Sequence, residues 1–375
     1  MTSDRRAFDE HMMRIAIAMA RRGIGATAPN PAVGAVIADE TTGELIARGW
    51  TQPGGRPHAE KEALRRSAGR EKGRTMYVTL EPCAHTGRVP TCADSMQASG
   101  LRRVVCAIPD PNPVVSGRGF AQLRAAGIEV DVGLLADEAR WVTLGHILRV
   151  TRQRPFVQLK MALDTVGAVA AGDGAPVWVT SPDARAYAHL LRAEADAILV
   201  GSGTVFADDP ELTCRLPGLS HRSPDRIVLD THLRTPPTAK VFRQEGDRPR
   251  VWVAAAAVGP LHHLPRRHGE GGAAVLDVAG RAGGGLHIES LLAALAENGL
   301  TRLMVEGGPT TWQAFLESGF VDEVCLVFGS GKAEGEVISV IPGDPDEFFA
   351  RYDLRPASRR PLGPDRLLIY RHVSR

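Results

Sequence analysis

A chain of 375 residues, 43% hydrophobic and only 5% aromatic, is long enough for two globular cores. Its formal net charge of +2, carried mostly by dispersed arginines, lacks the basic footprint of a nucleic-acid binder, so nucleic acid is excluded as a partner. No apolar stretch is long enough to span a membrane, and five cysteines with no signal peptide before them point to a reducing cytoplasm where thiols stay free for metal.

In chain order, Phe8, Met12, Ile15 and Met19 recur at helical spacing until Gly23 ends the pattern. Residues 32–38 and 45–50 read as paired strands, a helical pattern starts near His58, and strand 75–80 delivers Cys83. A second helix follows Pro90, and strands 104–108 and 128–132 flank a helical segment that begins after Gly117. This alternation predicts a mixed α/β sheet, with His58 and the cysteine pair at or near helix N-termini, where the dipole favours thiolate over thiol. A helical segment over 137–149 leads into the polar run 151–155, which ends in Pro and marks the expected boundary between domains 1–150 and 151–375.

The first domain carries the more specific chemistry. His58 is followed by Ala59-Glu60, and Glu81-Pro82-Cys83 is followed by Cys92. One His and two Cys make three zinc ligands, which leaves the fourth position for a water whose pKa the metal lowers. Two residues beyond His58, Glu60 is unsuited to be the fourth ligand and well placed to carry a proton from water to a departing amine. The competing reading is a structural zinc knot, but such sites usually close all four positions with protein ligands. Eight residues separate Cys83 from Cys92 where a generic deaminase has two; this insert brings His85 and Arg88, either over the metal or in a solvated loop. Cys106, Cys214 and Cys325 read as inert, partly buried thiols.

In the second domain, strand patterns recur at 156–161, 177–180, 197–201, 226–230, 250–254 and 303–306, with helical segments between several of them. Two of these strands run into glycine turns, Gly201-Ser202-Gly203-Thr204 and Gly307-Gly308-Pro309-Thr310-Thr311. Each alone is weak evidence for a phosphate cradle, and the first reads more readily as a tight turn; two in one sheet favour a dinucleotide. Residues 257–287 are rich in Gly, Pro and Arg and read as a solvated loop, which is favoured over a metal role for His262, His263 and His268.

On these residues the chain resembles the bifunctional deaminase/reductase family of riboflavin biosynthesis over nearly its whole length. Pro29-Asn30-Pro31-Ala32-Val33-Gly34, His58-Ala59-Glu60 and the long-spaced Cys83/Cys92 motif are similar to its deaminase segments. Gly203-Thr204-Val205 with Asp208-Asp209-Pro210-Glu211-Leu212-Thr213 is similar to its reductase signature. The resemblance implies a cytidine-deaminase-like zinc domain followed by a dihydrofolate-reductase-like α/β domain, with Zn2+ and NADPH as cofactors and a phosphoribosylated pyrimidine as the small-molecule substrate. It implies zinc on His58, Cys83 and Cys92, Glu60 as the proton carrier, and Asn30 holding the ring. The segment Asp110-Pro111-Asn112-Pro113 with Gly117-Arg118-Gly119 would close that pocket. Ala162, Trp178, Thr204, Asp208, Gly308, Pro309, Thr310 and Thr311 are expected at the cofactor, and Arg192, Leu212, Arg215 and Glu306 at the substrate. The family commonly assembles, so a homo-oligomer is expected. The chain departs from the pattern at Asp164-Thr165-Val166-Gly167-Ala168, where the Asp and Arg of an SLDGR-like turn are missing, at Pro176 in place of a Ser, and at Phe328-Gly329-Ser330-Gly331-Lys332. Those departures leave a second reading, a deaminase whose C-terminal domain binds or assembles without turnover.

Overall fold

Two stretches of chain, Met1–Gln153 and Arg154–Arg375, fold around separate cores. The computed structural model describes residues 3–84, 90–113, 115–170, 179–243, 250–256, 267–268, 273–281, 284–333 and 337–373.

The first unit is a five-stranded sheet made of β1 (Gly34–Ala38), β2 (Leu45–Trp50), β3 (Thr75–Val78), β4 (Arg103–Cys106) and β5 (Glu129–Val132), in the order β2-β1-β3-β4-β5. β1 runs antiparallel to β2 and β3, and β3, β4 and β5 are mutually parallel. Every residue of β1, β3 and β4 is buried, as near-continuous apolar strands covered on both faces should be. The cover comes from α1 (Ser3–Arg21), α2 (Ala59–Ser67), α3 (Cys92–Ala98), α4 (Arg118–Ala125) and α5 (Ala136–Arg152).

Two glycines set how closely the helices approach. A Cβ on Gly34 would lie 1.9 Å from the Ala16 carbonyl oxygen of α1, and one on Gly49 would lie 2.4 Å from the Ala59 carbonyl oxygen of α2. Gly34 stands opposite Trp50 in the β1–β2 register, so Gly49 projects to the other face, and α1 and α2 therefore sandwich the sheet. The helix read over 137–149 in fact continues to Arg152, because the Thr151 hydroxyl donates to the Ile147 carbonyl and Gln153 closes the helix in a left-handed conformation.

The second unit is a ten-stranded sheet. Its strands are β6 (Phe156–Leu163), β8 (Ala197–Gly201), β9 (Asp225–Leu229), β10 (Val251–Ala256), β11 (Arg267–His268), β12 (Ala273–Val278), β13 (Arg302–Val305), β14 (Glu323–Phe328), β16 (Leu354–Leu362) and β17 (Asp365–His372). The order is β11-β12-β10-β9-β8-β13-β6-β14-β17-β16, parallel from β12 through β14 and antiparallel at both edges. A small ribbon pairs β7 (Ala168–Ala170) with β15 (Val337–Ser339). Helices α6 (Pro182–Ala193), α7 (Ser202–Asp208), α8 (Ile288–Glu297), α9 (Pro309–Ser318) and α10 (Pro345–Ala350) complete the unit. Parallel strands place their ligand-facing loops at one edge, beyond their C-terminal ends, which is where both glycine turns lie.

Three readings of this half change. Val179 and Thr180 are not in a strand, since the Val179 carbonyl serves the loop at Gly331 rather than a ladder; Val177 and Trp178 lie outside the described residues. Gly201-Ser202-Gly203-Thr204 is the entry into α7 rather than a free turn. The segment read as a solvated loop over 257–287 contains β12, which pairs in parallel with β10 and is buried at its two ends, Ala273 and Val278. His262 and His263 lie outside the described residues.

Beneath the first unit's sheet, Arg103 is only 1% exposed and joins α1 to three other segments. Its guanidinium donates to Asp9 at 2.9 and 3.0 Å, to Glu40 at 2.8 Å and to Asp131 at 2.6 Å, while the Tyr77 hydroxyl donates to Asp9 at 2.6 Å. Removing a partner from a buried pair strands the other charge. Arg103→Met is expected to lower the urea midpoint of the first unit's unfolding by a loss of about 3–5 kcal/mol, with the second unit's transition unmoved.

Candidate active sites

Local sequence explains how the three zinc-ligand candidates come together. His58 is the N-cap of α2, Cys92 is the first residue of α3, and a capping box between Thr91 and Asp94 starts that helix. Cys83 stands on the loop after β3, not at a helix N-terminus as the sequence suggested. The Cys92 backbone N–H nevertheless donates to its sulfur at 3.3 Å, so it receives the first turn of α3. His58 Nδ1 lies 3.3 Å from Cys92 Sγ and 3.6 Å from Cys83 Sγ, and all three ligand atoms lie within 4.8 Å of one another. A tetrahedral ion with zinc–nitrogen and zinc–sulfur bonds of about 2.1 and 2.3 Å separates two such atoms by about 3.6 Å. The residues fit the metal.

In the absence of metal the three groups share protons, and a hydrogen bond to Cys83 raises the His58 imidazole. Hydrogen bonding from the Cys92 thiol, aided by His58, brings the Cys83 thiol down to about 4, so it is a thiolate at neutral pH. Cys92 goes the other way, because in the absence of metal it is the proton donor of that pair. Glu60, only 3% exposed in the first turn of α2, has its carboxyl raised chiefly by burial, and it meets the Cys92 thiol. A buried carboxyl whose proton is held more tightly than usual suits proton transfer. Asn30 sits under Gly55, where a Cβ would come 2.1 Å from Asn30 Nδ2. His85 and Arg88 lie outside the described residues.

Sequence reasoning missed a role for Glu81. Its buried carboxylate accepts the N–H groups of Asp110 at 3.1 Å, Gly117 at 3.0 Å and Gly119 at 2.9 Å, three points on the segment expected to close the pocket. The only signal in the sequence was a Glu two residues before a ligand, which does not reveal partners about thirty residues away.

In the second unit, adjacent strands β6 and β13 place Lys160 beside Glu306, at 3.1 Å. Arg192 of α6 pairs with the other Glu306 oxygen at 2.9 Å and donates to the Thr213 carbonyl at 3.0 Å. Burial alone lifts the Glu306 carboxyl, but Lys160 and Arg192 outweigh it and the net shift is downward. Arg215 is exposed, pairs with Glu211 at 3.5 Å, and donates to the hydroxyl of Thr213 at 3.3 Å, the residue whose carbonyl receives Arg192. Leu212 is held at φ +57° with its side chain in the core.

The two glycine turns are neighbours. A Cβ on Gly307 would lie 2.8 Å from the Gly201 nitrogen, a Cβ on Gly201 would lie 2.6 Å from Thr311 Oγ1, and the Thr204 hydroxyl accepts the Gly308 N–H at 3.0 Å. Gly308, Pro309, Thr310 and Thr311 form the N-terminus of α9, a place where backbone N–H groups meet anions. Ala162 lies on β6 toward its C-terminal end, and Asp208 is the exposed last residue of α7. Trp178 and Pro176 lie outside the described residues.

The departures near Asp164 and Phe328 meet in one place. The Asp164 carboxylate accepts the N–H groups of Val166 at 3.0 Å, Ala168 at 2.9 Å and Ala333 at 3.2 Å. Asp365 accepts those of Ser181 at 2.7 Å and Ser330 at 2.8 Å. The Gly331 N–H donates to the Val179 carbonyl at 3.0 Å, and a Cβ on Gly329 would lie 1.9 Å from that same oxygen. Changed turn and changed loop are thus bonded to each other.

Fold and site together define a zinc deaminase domain joined to a dihydrofolate-reductase-like domain. Residues 6–108 match the cytidine and deoxycytidylate deaminase zinc-binding region, and residues 155–336 match the RibD C-terminal domain. The chain is 41% identical over 335 residues to the riboflavin biosynthesis protein RibD of Aquifex aeolicus, covering 89% of this chain and 90% of that one. It is 39% identical over 329 residues to the Escherichia coli protein of the same name, covering 85% and 86%. Among solved structures, Acinetobacter baumannii RibD superposes with a TM-score of 0.82 at 32% identity, covering 98% of this chain and 99% of that one. A Thermotoga maritima diaminohydroxyphosphoribosylaminopyrimidine deaminase/5-amino-6-(5-phosphoribosylamino)uracil reductase gives 0.80 at 32% identity with the same coverage. The chain belongs to the RibD family of bifunctional riboflavin biosynthesis enzymes. It is a deaminase and reductase with zinc and NADPH as cofactors, and the reading without reductase turnover is not favoured. No helix among the described residues is long and apolar enough to cross a membrane.

The purified chain is expected to hold about one zinc per chain. Cys83→Ala and Cys92→Ala should each cut that content at least tenfold by elemental analysis, because two remaining ligands cannot complete the site.

Proposed function

We propose that the first unit deaminates 2,5-diamino-6-(5-phosphoribosylamino)pyrimidin-4(3H)-one and that the second reduces the ribosyl chain of the product to ribityl. The observation that carries this reading is the convergence of His58, Cys83 and Cys92 around the buried carboxyl of Glu60. When bound by those three residues, zinc supplies an acidified water near neutral pH. Glu60 takes the proton of the attacking water and hands it to the leaving amine, so water enters at the amino-bearing ring carbon and ammonia departs. Asn30 holds the ring through its amide, and Gly55 leaves room for that side chain.

In the second unit, NADPH supplies a hydride. The Gly308 to Thr311 turn at the start of α9 faces cofactor phosphate, with the Thr204 hydroxyl fixing the Gly308 N–H and Ala162 and Asp208 completing the cofactor's described surroundings. Lys160, Arg192 and Glu306 form the polar end of the substrate cleft, with the Leu212 backbone and Arg215 at its rim. Guanidinium groups suit the substrate phosphate because they bind it bidentately. The reading includes a homo-oligomer and a reducing cytoplasm, the latter supported by five cysteines without a disulfide.

The direct test is mass spectrometry of the product formed by zinc-loaded protein and NADPH. A deaminated ribityl product is expected; accumulation of the deaminated ribosyl compound would remove the reductase half of the reading. Glu60→Gln should keep zinc yet slow deamination by about 10²–10⁴-fold, while reduction of supplied deaminated substrate continues. Thr204→Val leaves the Gly308 N–H without its acceptor, at a cost of about 1–3 kcal/mol. Its KM for NADPH should rise about tenfold or more, with deamination unchanged.

A further inference from the structure

We infer that Glu81 is a positioning residue for deamination, one that ties the zinc-ligand strand end to the loop over the substrate without touching substrate itself. The inference rests on the deaminase reading above. Glu81 lies two residues before Cys83 and is 4% exposed. Among the described residues its side chain has no charged partner within ion-pair distance, so backbone amides balance its carboxylate. Oε2 accepts the Asp110 and Gly117 N–H groups at 3.1 and 3.0 Å, and Oε1 accepts the Gly119 N–H at 2.9 Å. Its own N–H donates to the Ile108 carbonyl at 3.0 Å, so both ends of the residue are bonded to the chain that leads into the loop.

The loop is fitted to this carboxylate from the other side as well. Gly117 adopts φ +82°, and a Cβ on Gly119 would lie 2.2 Å from the Pro82 carbonyl oxygen and 3.2 Å from Glu81 Cγ. Gly119 is therefore pressed directly against the Glu81-Pro82 backbone, one residue from Cys83. A segment with three amides aimed at one buried acceptor has few other ways to satisfy them, which fixes its height over the metal ligands. An amide at position 81 can accept two of these bonds with its oxygen but turns a donor toward a donor at the third.

The experiment compares steady-state deamination, zinc content and reductase turnover for wild type, Glu81→Gln and Gly119→Ala. Wild-type deamination tests the underlying reading, and its absence would sink that reading rather than this inference. With wild type active, both variants are expected to keep zinc and reductase turnover and to raise KM for the diaminopyrimidine about tenfold, with kcat changed less than about threefold. Gly119→Ala displaces the loop while leaving Glu81 intact, so agreement between the two assigns the effect to loop placement. KM within twofold of wild type in Glu81→Gln overturns the inference. So does loss of zinc in both variants, or failure of both to fold, since either makes Glu81 a support of the metal site or the fold alone.

Discussion

A buried loop cannot pair all its amides with its own carbonyls, and in this chain buried carboxylates take up the remainder. Glu81 gathers three amides from Asp110, Gly117 and Gly119, Asp164 gathers three beside β6, and Asp365 joins Ser181 to Ser330. A carboxylate taken out of water is costly unless hydrogen bonds replace its hydration, and two or three amide donors do that. The exchange is mutual, because the amides would otherwise be orphaned. Each staple joins segments far apart in sequence.

Within the zinc site the same economy works at shorter range. The α3 amide at Cys92 supports the Cys83 sulfur, and the Cys92 thiol shares its proton with that thiolate. Close backbone approach makes this possible. Because Gly49 carries no side chain, α2 lies flat on β2, which carries His58 and Glu60 to the sheet edge where β3 ends. Any larger residue at position 49 would lift the helix that bears both a ligand and the proton carrier.

The reductase-type half uses strand adjacency instead. β8, β13 and β6 are consecutive in the sheet though far apart in the chain, and their C-terminal ends bring Gly201, Gly307, Glu306 and Lys160 together. Two glycine turns that look like separate phosphate cradles are halves of one surface. The departures from the family's pattern at Asp164 to Ala168 and at Phe328 to Lys332 are likewise one feature, since Asp164 bonds the Ala333 amide. The turn is held by the Asp164 carboxylate, which accepts its own Val166 and Ala168 amides and the Ala333 amide.

Most of the first unit's order of elements was legible from the residues, because its β1 and β3 strands are apolar and α2 and α3 start at the His58 and Thr91 caps, which read locally. The grouping of His58, Cys83 and Cys92 was legible for a chemical reason: few functions need one His, two Cys and an adjacent carboxyl at that spacing. The sequence by itself also placed Lys160, Arg192 and Glu306 in one half of the chain, but not in contact, since 146 residues separate Lys160 from Glu306. Strand β12 escaped because its flanks are loop-like and its residues do not alternate between buried and exposed. Glu81 escaped because its partners are backbone amides, which every residue has and no motif marks. Local pattern therefore determined which chemistry each half carries. Tertiary structure decided which loops stand over it, because that choice is made by hydrogen bonds between distant backbone segments.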